Sequence, residues 1–107
     1  MSKMIDFNNL RQAIIDLKDE INIMGICAGM IMLSSTKGYN NLKTLSIMNF
    51  KVERNGFGRQ VNSFKSKIKF LPSNNDINVS FIRAPKIKTF SDKNQCIAKF
   101  DGNPVML

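Results

Sequence analysis

The sequence predicts an α/β fold, and three observations predict it. Residues 7–20 repeat apolar side chains at helical spacing. Residues 21–35 run apolar, glycine, cysteine, glycine, apolar. Four later segments alternate apolar and polar residues as half-buried strands do. The 107 residues suffice for one small domain spanning 1–107, and 43% hydrophobic content supports a packed core.

In the first segment Phe7, Leu10, Ala13, Ile14, Leu17 and Ile21 fall three or four apart and form one apolar stripe. Arg11, Asp16, Lys18, Asp19 and Glu20 occupy the other face, and Asp6 fits an N-cap. The expectation is a single helix over 7–20 packed on a sheet, followed at once by a buried strand at 21–24.

The strand stops at Gly25. One cysteine, Cys27, stands between Gly25 and Gly29, and a second apolar run, Met30 to Leu33, reads as a buried helix. Strand, tight turn and helix with a nucleophile at the tip make a nucleophile elbow. Both glycines fit that geometry, because side chains two residues either side of the cysteine would meet the neighbouring strand and helix. The turn lifts the sulfur out of the sheet and sets it at a helix N-terminus, where the dipole favours a thiolate. Against this stands a plain alternative, an inert buried cysteine beside two unrelated glycines.

The remaining chain reads as a polar loop over 34–41, a short apolar patch at 45–48, and strands at 49–54, 64–71, 77–83 and 95–100, with turns at 72–76 and 101–104. A final apolar strand begins at Val105. Around Asn55-Gly56-Phe57-Gly58, Arg54 and Arg59 flank an irregular loop, either to hold a carboxylate or as solvent-facing charges. Arg83 falls on the apolar face of its strand just before the break at Ala84-Pro85, placed either to bind an anion or to pair with Glu53.

Composition narrows the function classes. Net charge is +8, but the lysines scatter. Lys65, Lys67 and Lys69 alone form a pattern, alternating with Ile68 and Phe70 as the solvated face of a strand does. A nucleic-acid interface would cluster its cations and interleave aromatics, so nucleic acid is not expected as a partner. No apolar run is long enough for a membrane span. Two cysteines without a CxxC, and no histidine, argue against a zinc site or a disulfide framework and for the cytoplasm. The lack of histidine also removes the usual base for a cysteine nucleophile.

Three stretches then acquire a common meaning. Gly-Ile-Cys-Ala-Gly at 25–29, Val-Glu-Arg-Asn-Gly-Phe-Gly-Arg-Gln-Val-Asn-Ser-Phe at 52–64 and Phe-Ile-Arg-Ala-Pro at 81–85 resemble, in order and spacing, the glutaminase subunits of pyridoxal 5'-phosphate synthase. These are class I, triad-type glutamine amidotransferases. The resemblance implies an incomplete flavodoxin-like three-layer sandwich. It also implies hydrolysis of L-glutamine to L-glutamate and ammonia, which passes to a (β/α)8-barrel synthase partner. It implies no cofactor and no metal. By residue, it makes Cys27 the nucleophile and gives Ala28 an oxyanion-hole N–H. Arg54, Ile82 and Arg83 would bind L-glutamine.

The family's Gly-Gly-Glu-Ser loop and its Phe-His-Pro-Glu segment, which carries the triad His and Glu, do not occur in the 107 residues. Negligible turnover by this chain is therefore expected. A second reading is a non-catalytic protein that docks on the synthase barrel through the 7–20 helix and the Phe-Gly-Arg-Gln loop.

Overall fold

The computed structural model describes residues 2–36, 42–58, 63–91 and 96–107. Three short helices precede six strands: α1 (Ser2–Phe7), α2 (Leu10–Leu17), α3 (Ala28–Leu33), β1 (Phe50–Glu53), β2 (Phe64–Phe70), β3 (Asn75–Phe81), β4 (Lys86–Phe90), β5 (Ala98–Phe100) and β6 (Asn103–Met106). β1 and β4 form a two-stranded antiparallel ribbon, and a second, four-stranded sheet runs β3-β2-β5-β6, also antiparallel.

The single helix expected over 7–20 is two helices. Asn9 sits at φ 53°, in the left-handed region, as the N-cap of α2. Asparagine reaches that region at low cost and competes with helical bonding through its own side chain, so Asn8-Asn9 breaks the stripe. Asp6 is not the cap. It lies inside α1 and accepts from Arg11 Nε at 2.5 Å. Arg11 also donates to Thr44 O at 2.8 Å and Lys43 O at 3.0 Å, which ties the helix pair to the loop before β1. The pair packs on neither described sheet: Phe7 is 87% exposed, and Leu10, Leu17 and Ile21 are exposed too.

The strand expected at 21–24 makes no ladder among the described residues. Its side chains still alternate as in a strand. Ile23 packs on the core beside Leu33 and Phe50, while Met24 and Ile26 point outward, 81% and 73% exposed. A strand needs a hydrogen-bonded neighbour to become one, and none of the described strands lies against it.

Two apolar clusters hold the rest. Leu33, Phe50, Val52 and Ile87 bury α3 against the β1–β4 ribbon. Ile68, Phe81 and Ala98 centre the second, walled by Phe57, Phe64 and Phe100. There Phe64 and Phe81 stack at 4.7 Å between centroids, and Phe57 and Phe100 each approach Phe81 to 4.9 Å.

The strands expected at 49–54 and 64–71 are β1 and β2. The turn at 72–76 is shorter than expected, since Asn75 and Asp76 already pair with Phe70 and Lys69. β3 ends at Phe81, opposite the first residue of β2, Phe64, and not at residue 83. β5 covers the described end of the strand expected at 95–100; residue 95 and Arg59 lie outside the described residues, as do 37–41 of the 34–41 loop. Pro104, expected in a turn, lies in β6.

The described part of the polar loop has a structural task. Ser34, fully buried, donates to Ile31 O at 2.8 Å. Ser35 N–H donates to Phe50 O at 2.9 Å, and Val52 N–H donates to Thr36 Oγ1 at 2.9 Å. Ser35 and Thr36 thus supply partners to backbone groups of β1 on the edge that no described strand pairs.

Candidate functional site

The turn at Cys27 is built by the residues around it. Gly25 is held against the helix that follows: a Cβ there would stand 2.6 Å from Leu33 Cδ1 and 2.8 Å from the Gly29 carbonyl. Only glycine fits. Gly29 differs from expectation, because a Cβ there meets nothing within 4 Å. The close approach runs from Gly25 to the backbone of residue 29, so the missing side chain matters at one end of the motif only. Gly29 N–H donates to Ile26 O at 2.8 Å and closes the turn.

At its tip Cys27 has φ 53° and ψ −108°, well away from any well that an L-residue favours, and it caps α3 without a side-chain hydrogen bond. Such a conformation costs on the order of 1–3 kcal/mol and persists only where the surroundings fix it. The strain aims the thiol outward. Cys27 is exposed and free, as Cys96 is free but half-buried. Cys27 is therefore not the buried cysteine of the plain alternative.

The Cys27 thiol points at Ile82 O, 3.9 Å away. Ile82 and Arg83 form the bend that follows β3, and both are exposed. Arg83 has φ 49°, a second strained residue beside the first. It does not sit on the apolar strand face, because the strand has already ended. Nor does it pair with Glu53, whose partner is Lys88 at 2.6 Å. Hydrogen bonding from that ammonium and its charge hold the Glu53 carboxyl below the ordinary carboxylate value.

Arg54 opens the turn after β1. It borders a cavity of about 140 Å³ together with Ser2, Ala28, Ile31, Met32 and Leu42. Ala28 is thus shared between Arg54 and the cysteine next to it. As the first residue of α3, its N–H has no intrahelical acceptor. Beyond Arg54 the loop is pinned. Asn55 and Gly58 take positive φ, a side chain on Gly56 would collide with Lys86, and Phe57 reaches the aromatic cluster with Lys86 over its ring.

A second, larger cavity of about 380 Å³ opens on the other side of Cys27. Met24, Ile26, Met30, Phe50, Ile87 and Val105 give it an apolar lining. Arg54, Ile82 and Arg83 do not line it. The structure therefore brings Cys27 to Ile82 and Ala28 to Arg54, around one elbow, and leaves the large cavity apolar. Among the described residues no three His, Cys, Asp or Glu side chains could hold a metal ion, and no helix is long and apolar enough to cross a membrane.

The sequence reading missed β4 and the Ser-Ser-Thr stitch. β4 hides behind a bulge. Val52 pairs with Ile87 and Lys51 with Thr89, so a register shift skips Lys88. The core-facing Ile87 and Phe90 then stand three residues apart, and the period of two is lost. The stitch has a weaker signal, a run of hydroxyl residues straight after a helix.

The "Pyridoxal 5'-phosphate synthase subunit PdxT" of Tropheryma whipplei (strain Twist) is 44% identical over 85 residues, covering 78% of this chain and 44% of that protein. The proteins of the same name from Caldanaerobacter subterraneus subsp. tengcongensis and Thermosipho africanus are 38% and 36% identical, over 95% and 98% of this chain and 54% and 55% of theirs. The chain thus spans about half the length of the curated relatives it matches. A solved structure described as "Crystal structure of glutamine amidotransferase" superposes with a TM-score of 0.81 at 27% identity, over 96% of this chain and 56% of that one. The fold class is accordingly α/β and flavodoxin-like. The model of the SNO glutamine amidotransferase family matches residues 1–107, and the chain therefore belongs to the SNO glutamine amidotransferase family.

Proposed function

We propose that residues 1–107 form the nucleophile-bearing part of a glutaminase domain of pyridoxal 5'-phosphate synthase, which hydrolyses L-glutamine to L-glutamate and ammonia. The observation that carries this reading is the strained elbow, with Cys27 exposed at φ 53° and its thiol 3.9 Å from Ile82 O. The family's description supports chemistry on glutamine, and the relatives' name supports a place in a pyridoxal 5'-phosphate synthase assembly.

In this reading the Cys27 thiolate attacks the side-chain amide carbon. The carbonyl becomes an oxyanion facing the Ala28 N–H, and the C–N bond breaks to release ammonia and leave a glutamyl thioester. Arg54, Ile82 and Arg83 position the glutamine. Arg54 and Arg83 offer guanidinium groups suited to its carboxylate, and Ile82 offers its backbone beside the sulfur. Water then hydrolyses the thioester. Ammonia leaves only when its nitrogen takes up a proton, and the attacking water must give one up, so the steps need one group that serves in turn as acid and base; the 107 residues contain no histidine for that role. By itself the chain turns over glutamine negligibly. The cytoplasm is the compartment in which a free Cys27 stays reduced.

The test is a chimera in which this chain replaces the matching segment of a full-length curated relative. It is expected to release ammonia from L-glutamine, and Cys27→Ala should lower the rate at least about a thousandfold. A folded chimera without activity, or an active Cys27→Ala chimera, would contradict the proposal. The isolated chain should release none above background.

One observation favours a docking role as well. The exposed apolar residues of the helix pair, Phe7, Leu10 and Leu17, suit burial against another protein. Co-purification of the Cys27→Ala chain with a synthase barrel subunit would support it. Loss of all association in the wild-type chain would sink it.

A further inference from the structure

The outward face of the four-stranded sheet carries a charge arrangement that the glutaminase reading does not use. Lys65, Lys67 and Lys69 project from one side of β2, all exposed, while Ile68 on the other side is buried in the core. β5 lies beside β2 and places Lys99 directly opposite Lys69. Like charges facing each other across a ladder destabilise the pair. On the other flank Lys65, Lys67 and Lys69 face Ser80, Asn78 and Asp76. Four ammonium groups thus share one carboxylate, and none of the four enters an ion pair among the described residues. The lysines of β4 are matched by contrast: Lys88 pairs with Glu53, and Lys86 lies over Phe57. An open groove of about 500 Å³, lined by Lys65, Lys67, Asn78 and Ser80 among others, follows β2 and β3.

We infer that this face docks an acidic polypeptide segment in extended conformation, with a carboxylate at every second residue. Alternate residues of any strand repeat at about 6.6–6.8 Å, so such a segment laid along β2 matches three ammonium groups in register. A carboxylate between Lys69 and Lys99 removes their repulsion. Nucleic acid fits the face less well. Phe64, Phe81 and Phe100 of the sheet cluster in the core, and Phe70 alternates with Lys69 and so lies on the face opposite the lysines, which leaves bases no described aromatic platform on this face.

The experiment is fluorescence anisotropy with the full chain and a labelled peptide of alternating Glu and Ser, long enough to span β2. A peptide of the same composition with its Glu residues in one block, and a DNA duplex of matched charge, are the comparisons. Replacing Lys65, Lys67, Lys69 and Lys99 by Gln should weaken binding of the alternating peptide about tenfold, as four exposed pairs allow. The same change at Lys3, Lys18, Lys43 and Lys51 should weaken it less than about twofold, as those lysines lie off this sheet face. Equal losses in the two variants would show that net charge alone binds the peptide and would overturn the inference. Equal binding of both peptides, or preference for the duplex, would overturn it too. Circular dichroism checks the fold of the fourfold variant. If it does not fold, Lys67→Gln alone carries the same prediction at about twofold.

Discussion

Cys27 holds a backbone conformation that glycine would adopt freely, and it does so at the point where a thiol is presented to solvent. That strain has a measurable signature. Cys27→Ala keeps the strain and Cys27→Gly relieves it, so the Gly variant should melt above the Ala variant by about 1 kcal/mol of stability. Equal melting temperatures would mean that the turn is not strained. The two motif glycines separate in the same assay. Gly25→Ala must push against Leu33 and the Gly29 backbone and should cost about 1–3 kcal/mol. Gly29→Ala enters open space within α3 and should be neutral or stabilising, since alanine favours a helix. The Gly-x-Cys-x-Gly pattern announced the turn in the sequence. It could not show which glycine is under contact, because that depends on where Leu33 and the residue 29 carbonyl lie in space.

At the level of elements, the β1–β4 ribbon supports the elbow through α3, and its outer face is tied by Glu53 and Lys88. Glu53 is held below its ordinary value of 4.5 by Lys88, and Asp6 below 3.8 by the hydrogen bond from Arg11. A carboxylate with a depressed folded-state pKa contributes stability that is complete above its unfolded value and is lost as pH falls through its folded one. Urea midpoints should therefore fall between pH 5 and pH 3, and Glu53→Gln should flatten part of that fall. An unchanged slope in the variant would mean that the pair does not form in solution.

Elements whose apolar period stays intact, such as β1, β2 and β3, were legible in the sequence. β4 was not, because its bulge puts two core residues three apart. The helix over 7–20 was read as one piece, because the apolar stripe continues across Asn8-Asn9 while the backbone does not. Arg83 was assigned to a strand face because alternation says nothing about where a ladder stops.

As a whole the molecule carries a thin core. Its radius of gyration is 14.4 Å, against about 13 Å for a compact domain of this length. Met24 and Ile26 beside Cys27, and Phe7 on the helix pair, stay in water. These features accompany a chain that spans about half the length of its curated relatives and has no histidine. The stretches that hold Cys27, Arg54, Ile82 and Arg83 were legible as motifs. Their division between a small cavity at Arg54 and the bend at Ile82 was not, since it follows from tertiary packing. The measurement that tests the central claim most directly is peptide mapping by mass spectrometry. The chimera is treated with a diazoketone analogue of L-glutamine, with and without excess L-glutamine. One adduct is expected, on Cys27, suppressed by L-glutamine, with Cys96 unmodified. Labelling of both cysteines alike, or labelling of Cys27 that L-glutamine does not suppress, would contradict it.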